Sequence, residues 1–589
     1  MYGRFTRVRV TFIMGDKGIH FSDFLCSILG YMKYLRISEP FMWAFLLVGA
    51  LAGATMIGWQ VQTDWNNLPI AEQQAVLDSG QVEALADTFV REHFSLDTNS
   101  FQIVSTLTTT ALPDTFLAKS YLSEEERVAY RDSYLSAVSV YFVRFFKAEQ
   151  IEEYSVTIDA FRGEIVDFTQ TLPEDVLIPS ISADDAIVAA RQFVAREVAT
   201  SPDNLIVHTK KEETFPGGIE RHIVFSWKGS EVDSEYGKGF VTFNTVVRGT
   251  SVSAFSPSFE YPEPYERALD KSSNIGMLVG FGSLLAWVLI IIAALVFMIQ
   301  SFSAHKAVWK MSLGVTIVLG ILSILDFVNL YPETLVWYST IDSMTVYWIF
   351  AAFASAFGII LLSLMFFVPS VAGNTLAVEK YQDRIAPLMS APRTPETKTL
   401  YRLALVRGYL LGIFFLGFTF ALYWIGEEYF GVWYPYGEAM LPGGLSSFVP
   451  AFTLMLSLGL TAAITEEITF RLFGILWISK LTRSTALGVL IATLVWAFAH
   501  TDGSVLPVWF RGVEVLVGGL LFAYFFIRYN ILTTIVAHYV HNIIIVGMLL
   551  FFTFGTQQAI PVILIFAAPG IAYICFEWAV SKKVKLTEV

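Results

Sequence analysis

The sequence predicts an all-α polytopic membrane helix bundle of about ten spans with an inserted α+β extracytoplasmic domain. Three observations carry that prediction. Of 589 residues, 54% are hydrophobic and only 15% charged, against about 25% charged in a soluble globular protein, and the mean hydropathy is +0.56. Apolar runs long enough for spans recur along the chain. Basic residues gather in alternate loops between those runs, as they do when such loops face the cytoplasm.

The first long apolar run, Phe41 to Trp59, follows Arg4, Arg7, Arg9, Lys17, Lys33 and Arg36, the flank expected on the cytoplasmic side of a first span. It predicts a signal anchor. The small residues of Ala50-Leu51-Ala52 keep a cleavable signal peptide as the alternative, and Met14 or Met32 are alternative starts. Further runs lie near 275–300, 309–331, 345–371, 403–426, 447–479, 485–500, 512–527, 530–553 and 558–579. His305 with Lys306 and Lys310, then Lys380, Arg384, Arg393 and Lys398, then Lys480 and Arg483, then Arg528, then Lys582, Lys583 and Lys585 all fall on the side of the N-terminus. Loops 332–344 and 427–446 hold acids and no bases. This alternation predicts both termini in the cytoplasm of a plasma (inner) membrane protein, with residues 60–272 outside.

The net charge is −13, and residues 61–272 alone hold 34 acids against 17 bases. An acidic domain on a mildly basic membrane body excludes nucleic-acid binding, which needs clustered positive charge. Cys26 and Cys575 are too far apart in sequence and setting to encode a disulfide framework or a thiolate metal site. Within the outer domain, Ala86-x-x-Phe89-Val90-Arg91-Glu92 recurs as Ala190-x-x-Phe193-Val194-Ala195-Arg196-Glu197, each on a stretch with apolar residues at helical spacing. Strand-like Val156 to Asp159 and Arg162 to Val166 recur as Val241 to Asn244 and Arg248 to Val252. This repeat loosely resembles PepSY domains of protease propeptides. No catalytic constellation is present in it: His93, His208 and His222 stand isolated, with exposed positions expected. The acidic composition predicts a domain separable from the bundle.

The chemistry is therefore sought inside the spans, where an ionisable side chain costs several kcal/mol and serves pairing, transport or catalysis. The densest cluster is Glu466-Glu467-Ile468-Thr469-Phe470-Arg471. Glu467 and Arg471, four apart on one helix face, can form an ion pair, leaving Glu466, about 100 degrees round the helix, without an in-helix partner. A bland reading of the cluster is a buried charge lock between helices. His500 ends a separate apolar run that contains Trp496, and His538 and Asn542 share a helix face in another. Counted at 1.5 Å per residue from the flanking bases, however, Glu466, His500 and His538 lie about 21, 25 and 15 Å along their helices, a mismatch of about 10 Å between upright rods. Asp326, Glu514 and Glu577 read as single or helix-paired groups outside a site.

These residues resemble the CAAX protease and bacteriocin-processing (CPBP, or ABI) family of intramembrane proteases, which includes the Ras-converting CAAX endopeptidase. Its Glu-Glu-x-x-x-Arg, Phe-x-x-x-His and His-x-x-x-Asn/Asp helices are matched by Glu466-Glu467-x-x-x-Arg471, Trp496-x-x-x-His500 and His538-x-x-x-Asn542, with Trp496 in place of the usual Phe. The resemblance covers roughly residues 400–579. It divides the chain into a cytoplasmic segment 1–40, a transmembrane signal anchor 41–59, the outer domain 60–272, three spans and a cytoplasmic loop 273–399, the protease-like domain 400–579 and a basic tail 580–589. It implies an endopeptidase acting on a membrane-anchored protein or peptide within the lipid bilayer, with CAAX-type processing as one form.

Two mechanisms then stay open. In one, Glu466 is the base that activates water, His500 holds that water, and His538 and Asn542 bind the oxyanion. In the other, His500, His538 and Glu466 ligate a divalent metal such as zinc, with Glu467 or Asn542 assisting. The cofactor is accordingly either none or such a metal, and Glu467, Arg471 and Trp496 support the site. The rival classes are an inactive scaffold or bacteriocin-immunity protein, and a transporter, which would show paired inverted halves.

Overall fold

A computed structural model describes residues 38–67, 75–109, 114–134, 139–179, 181–433, 443–501 and 505–587. The basic lead before the first span lies outside the described residues. Of the described residues 67% are helical, with apolar candidate spans and a separate antiparallel sheet domain.

After helix α1 (Glu39–Asn67) comes the sheet domain. Helix α2 (Ser79–Phe94) begins at Asp78, whose carboxylate accepts the Gly80 N–H while Gln81 accepts the Asp78 N–H, so the first-turn donors are satisfied locally. It buries Val82, Ala86 and Val90, a spacing of four that places them on one face. Strands β1 (Gln102–Thr109), β2 (Ser139–Phe146), β3 (Glu153–Asp159) and β4 (Ile165–Thr171) follow, with two short helices, α3 (Asp114–Ala118) and α4 (Glu124–Tyr134), between β1 and β2. Helix α5 (Ala183–Glu197) then buries Ala186, Ala190 and Val194 and is followed by β5 (Leu205–Phe215), β6 (Gly218–Trp227), β7 (Val232–Ser234), β8 (Gly237–Arg248) and β9 (Ser251–Glu260). The strands are antiparallel in the order β1-β2-β3-β4-β9-β8-β6-β5, with β7 on β8. Each amphipathic helix thus heads a run of strands, and the two runs join where β4 meets β9. The outer strand β5 is exposed along Lys210, Lys211, Glu212 and Glu213, charges that discourage pairing at a free edge.

His93 departs from its expected exposed, isolated position. Its ring lies among Phe89, Phe94, Phe168 and Phe193, with centroids 4.7–5.5 Å away, and Nε2 lies 2.9 Å from the Val252 carbonyl. Repetition of the helix brings a second set of aromatic residues to the same core, which a reading of one helix alone does not reveal.

Helix α6 (Glu263–Ser303) leaves the sheet three residues after β9. It is followed by α7 (Lys310–Asn329), α8 (Tyr331–Val336), α9 (Met344–Lys380), α10 (Gln382–Met389), α11 (Pro395–Phe430), α12 (Pro450–Thr482), α13 (Thr485–Phe498), α14 (Val508–Arg528), α15 (Ile531–Phe554) and α16 (Ala559–Thr587). By length and composition, eight segments among the described residues can cross a membrane. The ten apolar runs differ from that number for two reasons. Helix α13 has 14 residues, about 21 Å of rise, short of a bilayer core of about 30 Å. The last two runs form one apolar segment, Ile531–Ser581, broken at Gly555 between α15 and α16.

Close helix contacts rest on small residues. A Cβ on Gly417 of α11 would lie 2.3 Å from the Gly53 Cα of α1, so α1 and α11 touch backbone to backbone. A Cβ on Gly519 of α14 would meet Thr493 and Trp496 of α13 at 2.5 and 2.8 Å, so this glycine leaves room for the Trp496 ring.

The sheet domain makes specific contacts with the bundle. Arg144 of β2 is 8% exposed; it donates to the Val336 carbonyl at 2.9 Å and to the Tyr338 carbonyl, and pairs with Glu153. Phe146 and Tyr338 pack across the same junction. Leu107 N–H donates to Ser446 Oγ at 2.6 Å, Val76 N–H to the Thr553 carbonyl at 3.0 Å, and Lys119 lies over the Trp433 ring. Overall charge could not reveal this, because few residues form the contact and the rest of the acidic surface stays in water.

Candidate active site

Helix α12 carries the two carboxylates, and it is not a plain α-helix. Met455–Thr461 and Glu467–Ile475 are wound as π-helix, a local widening that recurs at functional sites. The second stretch begins immediately after Glu466. Within it Glu467 and Arg471 are 0% and 1% exposed and pair at 3.1 Å. A buried charge this deep needs a partner, and Glu467 has a second, since the same Oε1 lies 3.1 Å from Nδ1 of His538 on α15. The Arg471 guanidinium also lies 3.9 Å from the centroid of the Trp496 ring, a cation–π contact. Its Nε and Nη2 have no hydrogen-bond partner among the described residues.

Glu466 faces a different neighbourhood. Its Oε2 accepts a 2.5 Å hydrogen bond from the indole Nε1–H of Trp496 and lies 4.0 Å from Nε2 of both His500 and His538. His500 Nδ1–H donates to the Trp496 carbonyl at 2.8 Å, which turns Nε2 towards Glu466. The Phe522 ring stacks on His538 at 5.6 Å. Glu466, His500 and His538 side chains are 17%, 31% and 8% exposed, so the cluster is sheltered yet reachable. The expected difference in depth is absent. Counting ideal α-helical rise ignores the π stretches of α12, and His500 lies in the turn beyond the end of α13.

Asn542 is placed differently from its three companions. It is half-buried, and its Nδ2 donates to the Leu458 carbonyl of the first π stretch at 2.7 Å, leaving one amide hydrogen for another acceptor. One contribution escapes a reading of the sequence. Trp496, read there only as a support of the site, supplies a donor to Glu466, a carbonyl to His500 and a ring under Arg471; the signal was the substitution of Trp for Phe, since only the indole has an N–H. Glu514, as expected of a helix-paired group, meets Arg511 of the same helix at 2.7 Å; it is 4% exposed, and Arg511 also donates to Tyr423 at 3.0 Å. Glu577, as expected of a paired group, meets Lys398 at 3.1 Å, and Asp326 accepts from Thr453 at 2.5 Å.

The three groups proposed as zinc ligands do not fit a tetrahedral ion as placed. Ligands about 2.1 Å from zinc stand about 3.4 Å apart, whereas both imidazoles stand 4.0 Å from the Glu466 oxygen. Among the described residues no group of three or more His, Cys, Asp or Glu side chains is arranged to hold a metal ion.

A sheltered carboxylate and two imidazoles are thus brought together from separate segments of an apolar bundle. Residues 447–544, which include Glu466, His500, His538 and Asn542, match the family model described as type II CAAX prenyl endopeptidase Rce1-like, a protease family. Over 103 residues, 17% of the chain, the sequence is 26% identical to the sporulation-killing factor biosynthesis protein SkfC of Bacillus subtilis; that match spans 21% of the relative's length. No solved structure matches the chain.

Proposed function

We propose that the protein is an intramembrane endopeptidase that hydrolyses peptide bonds of membrane-associated polypeptides, with Glu466 as the base. The observation that carries this reading is the convergence of His500 and His538 on Glu466, each at 4.0 Å, inside the segment that matches an endopeptidase family. A water between them gives one hydrogen to Glu466 and the other to His500 Nε2, which is a free acceptor because Nδ1 holds its proton against the Trp496 carbonyl. Its remaining lone pair attacks the scissile carbonyl as Glu466 takes the proton, and that proton passes to the leaving amine when the C–N bond breaks. His538 is held at Nδ1 by Glu467, 3.1 Å away, and turns Nε2 towards Glu466 at 4.0 Å, where it is placed to serve the oxyanion. The free amide hydrogen of Asn542 adds a second donor.

The charge pattern of the loops supports ten spans, with both termini cytoplasmic and the sheet domain outside. CAAX-type processing is the substrate class that the family description suggests. The test is incubation of the purified full chain in detergent with a library of membrane-anchored peptides, with and without chelator. Cleavage that persists with chelator and falls about a hundredfold to a thousandfold in Asn542→Ala, the loss typical of one oxyanion donor, agrees with this mechanism. Absence of cleavage of every peptide removes the endopeptidase reading.

A further inference from the structure

Helix α6 lies outside the segment that matches the protease family, and most of its apolar surface is exposed, as at Leu278, Phe281, Leu285 and Leu289. Its inner face is narrow and carries Gly280 and Trp287. Seven residues are close to two helical turns, so these positions stand in line, about 10 Å apart. Each touches a different segment of the site. The Cβ that Gly280 lacks would lie 3.1 Å from the Thr501 carbonyl oxygen and 3.9 Å from that of Phe498, in the turn that carries His500. The Trp287 ring packs on Phe470 with centroids 5.2 Å apart, and Phe470 directly precedes Arg471 in the second π stretch.

The His500 turn has little room. Thr501 is 1% exposed, its hydroxyl donates to the Phe498 carbonyl at 2.7 Å, and the His500 N–H donates to the Ala497 carbonyl at 3.2 Å. On the side of α14, a Cβ on Gly512 would lie 2.5 Å from the Phe498 ring. The turn is thus seated between two glycines, which let backbones approach more closely than larger residues do. Helix α6, by contrast, is held on both sides of Gly280. Tyr265 is 3% exposed and packs with Phe116, Tyr236 and Tyr261, and Ile290 and Ala294 are buried further along. A side chain at position 280 therefore displaces the turn before it displaces the helix.

We infer that α6 is part of the site although the family match leaves it out, and that Gly280 is a positioning residue that sets where His500 stands against Glu466. Its effect on rate rests on the endopeptidase reading; its effect on His500 rests on geometry alone. His500 Nε2 and Glu466 Oε2 are 4.0 Å apart, a gap that one water spans. A displacement of about 1 Å in such an arrangement costs about a hundredfold in rate. Gly280 touches the turn and not the substrate, so the loss falls on kcat and leaves KM.

The experiment compares Gly280→Leu, Gly280→Ala and Gly282→Leu in the full chain in detergent. Gly282 lies on the same helix with nothing within 4 Å of the Cβ it lacks, so it controls for the loss of a glycine from α6. With a peptide that the parent cleaves, kcat is expected to fall about a hundredfold in Gly280→Leu at little-changed KM. It falls less in Gly280→Ala, whose Cβ asks the Thr501 carbonyl to give by a few tenths of an ångström, and stays at the parent value in Gly282→Leu. A second readout needs no turnover: the rate at which diethyl pyrocarbonate modifies His500, read by mass spectrometry against the exposed His208. That rate is expected to shift in both Gly280 variants and to hold in Gly282→Leu. A Gly280→Leu protein with the parent kcat overturns the inference, as does an equal loss in Gly282→Leu, or His500 modified at the parent rate in both Gly280 variants. If the parent cleaves no peptide, the endopeptidase reading falls by itself, and the modification rates still decide whether Gly280 places His500.

Discussion

Replacing Glu467 by Gln tests how the site is held, because one oxygen of this side chain serves two partners. Oε1 lies 3.1 Å from Arg471 and 3.1 Å from His538 Nδ1, and Glu467 and Arg471 are 0% and 1% exposed. Removing one charge from such a pair leaves the other uncompensated and costs about 3–5 kcal/mol. The Trp496 ring beneath Arg471 gives no new compensation, since that contact already exists in the parent. Glu467→Gln is therefore expected to lose about 3–5 kcal/mol in reversible unfolding from mixed micelles. The double variant Glu467→Leu with Arg471→Met replaces both charges by apolar groups and is expected to return close to the parent, as such replacements do elsewhere. Stability and activity then part company: the double variant stays impaired in cleavage because His538 Nδ1 has lost its acceptor. A Glu467→Gln protein as stable as the parent, or a double variant whose loss is the sum of the two single losses, would refute the argument that the pair is a buried and coupled unit.

Trp496→Phe keeps an aromatic face under Arg471 but deletes the donor to Glu466. A hydrogen bond to a charged group is worth about 1.5–3 kcal/mol, so kcat/KM is expected to fall about tenfold to a hundredfold, and an unchanged kcat/KM would show that this bond does not position the base. Arg144→Ala removes donors to the Val336 and Tyr338 carbonyls and should loosen the sheet domain, seen as faster hydrogen exchange in β1, β2 and α8; unaltered exchange would show that the docking rests on other contacts. Burial holds the His93 imidazole below its ordinary pKa, partly offset by the Val252 carbonyl. The unfolded chain thus takes up this proton first, so its contribution to sheet-domain stability is present above about pH 6.5 and is lost as pH falls through that value. Asp167, pushed up by burial, works in the opposite sense in the carboxylate range. His93→Phe is expected to flatten the fall below pH 6.5 in the sheet domain's hydrogen exchange, and an unaltered slope would remove His93 as its source.

The helices were legible because lipid leaves a strong signature: runs of apolar residues, basic loops and rare charges within spans. The three polar helices were legible for the same reason, since Glu466, Glu467, Arg471, His500 and His538 stand out against Leu, Phe and Val. Three features were hidden by their physical nature. The π winding of α12 depends on tertiary packing and on partners such as Asn542, which takes the Leu458 carbonyl, and no local propensity announces it. The double use of Glu467 needed the third dimension, because His538 lies 71 residues away. The docking of the sheet domain rests on a buried Arg144 reaching backbone carbonyls, and carbonyls carry no sequence signal at all.

The central claim is that Glu466 performs the chemistry, and it is tested most directly by the cleavage rate of Glu466→Gln under single-turnover conditions, beside the parent and a chelator-treated parent. The amide keeps the size of the side chain and can still meet the Trp496 N–H through its oxygen, so folding and insertion should be preserved. The account predicts that cleavage disappears in Glu466→Gln while chelator leaves the parent rate unchanged. Cleavage by a folded Glu466→Gln protein at a rate near that of the parent would contradict it.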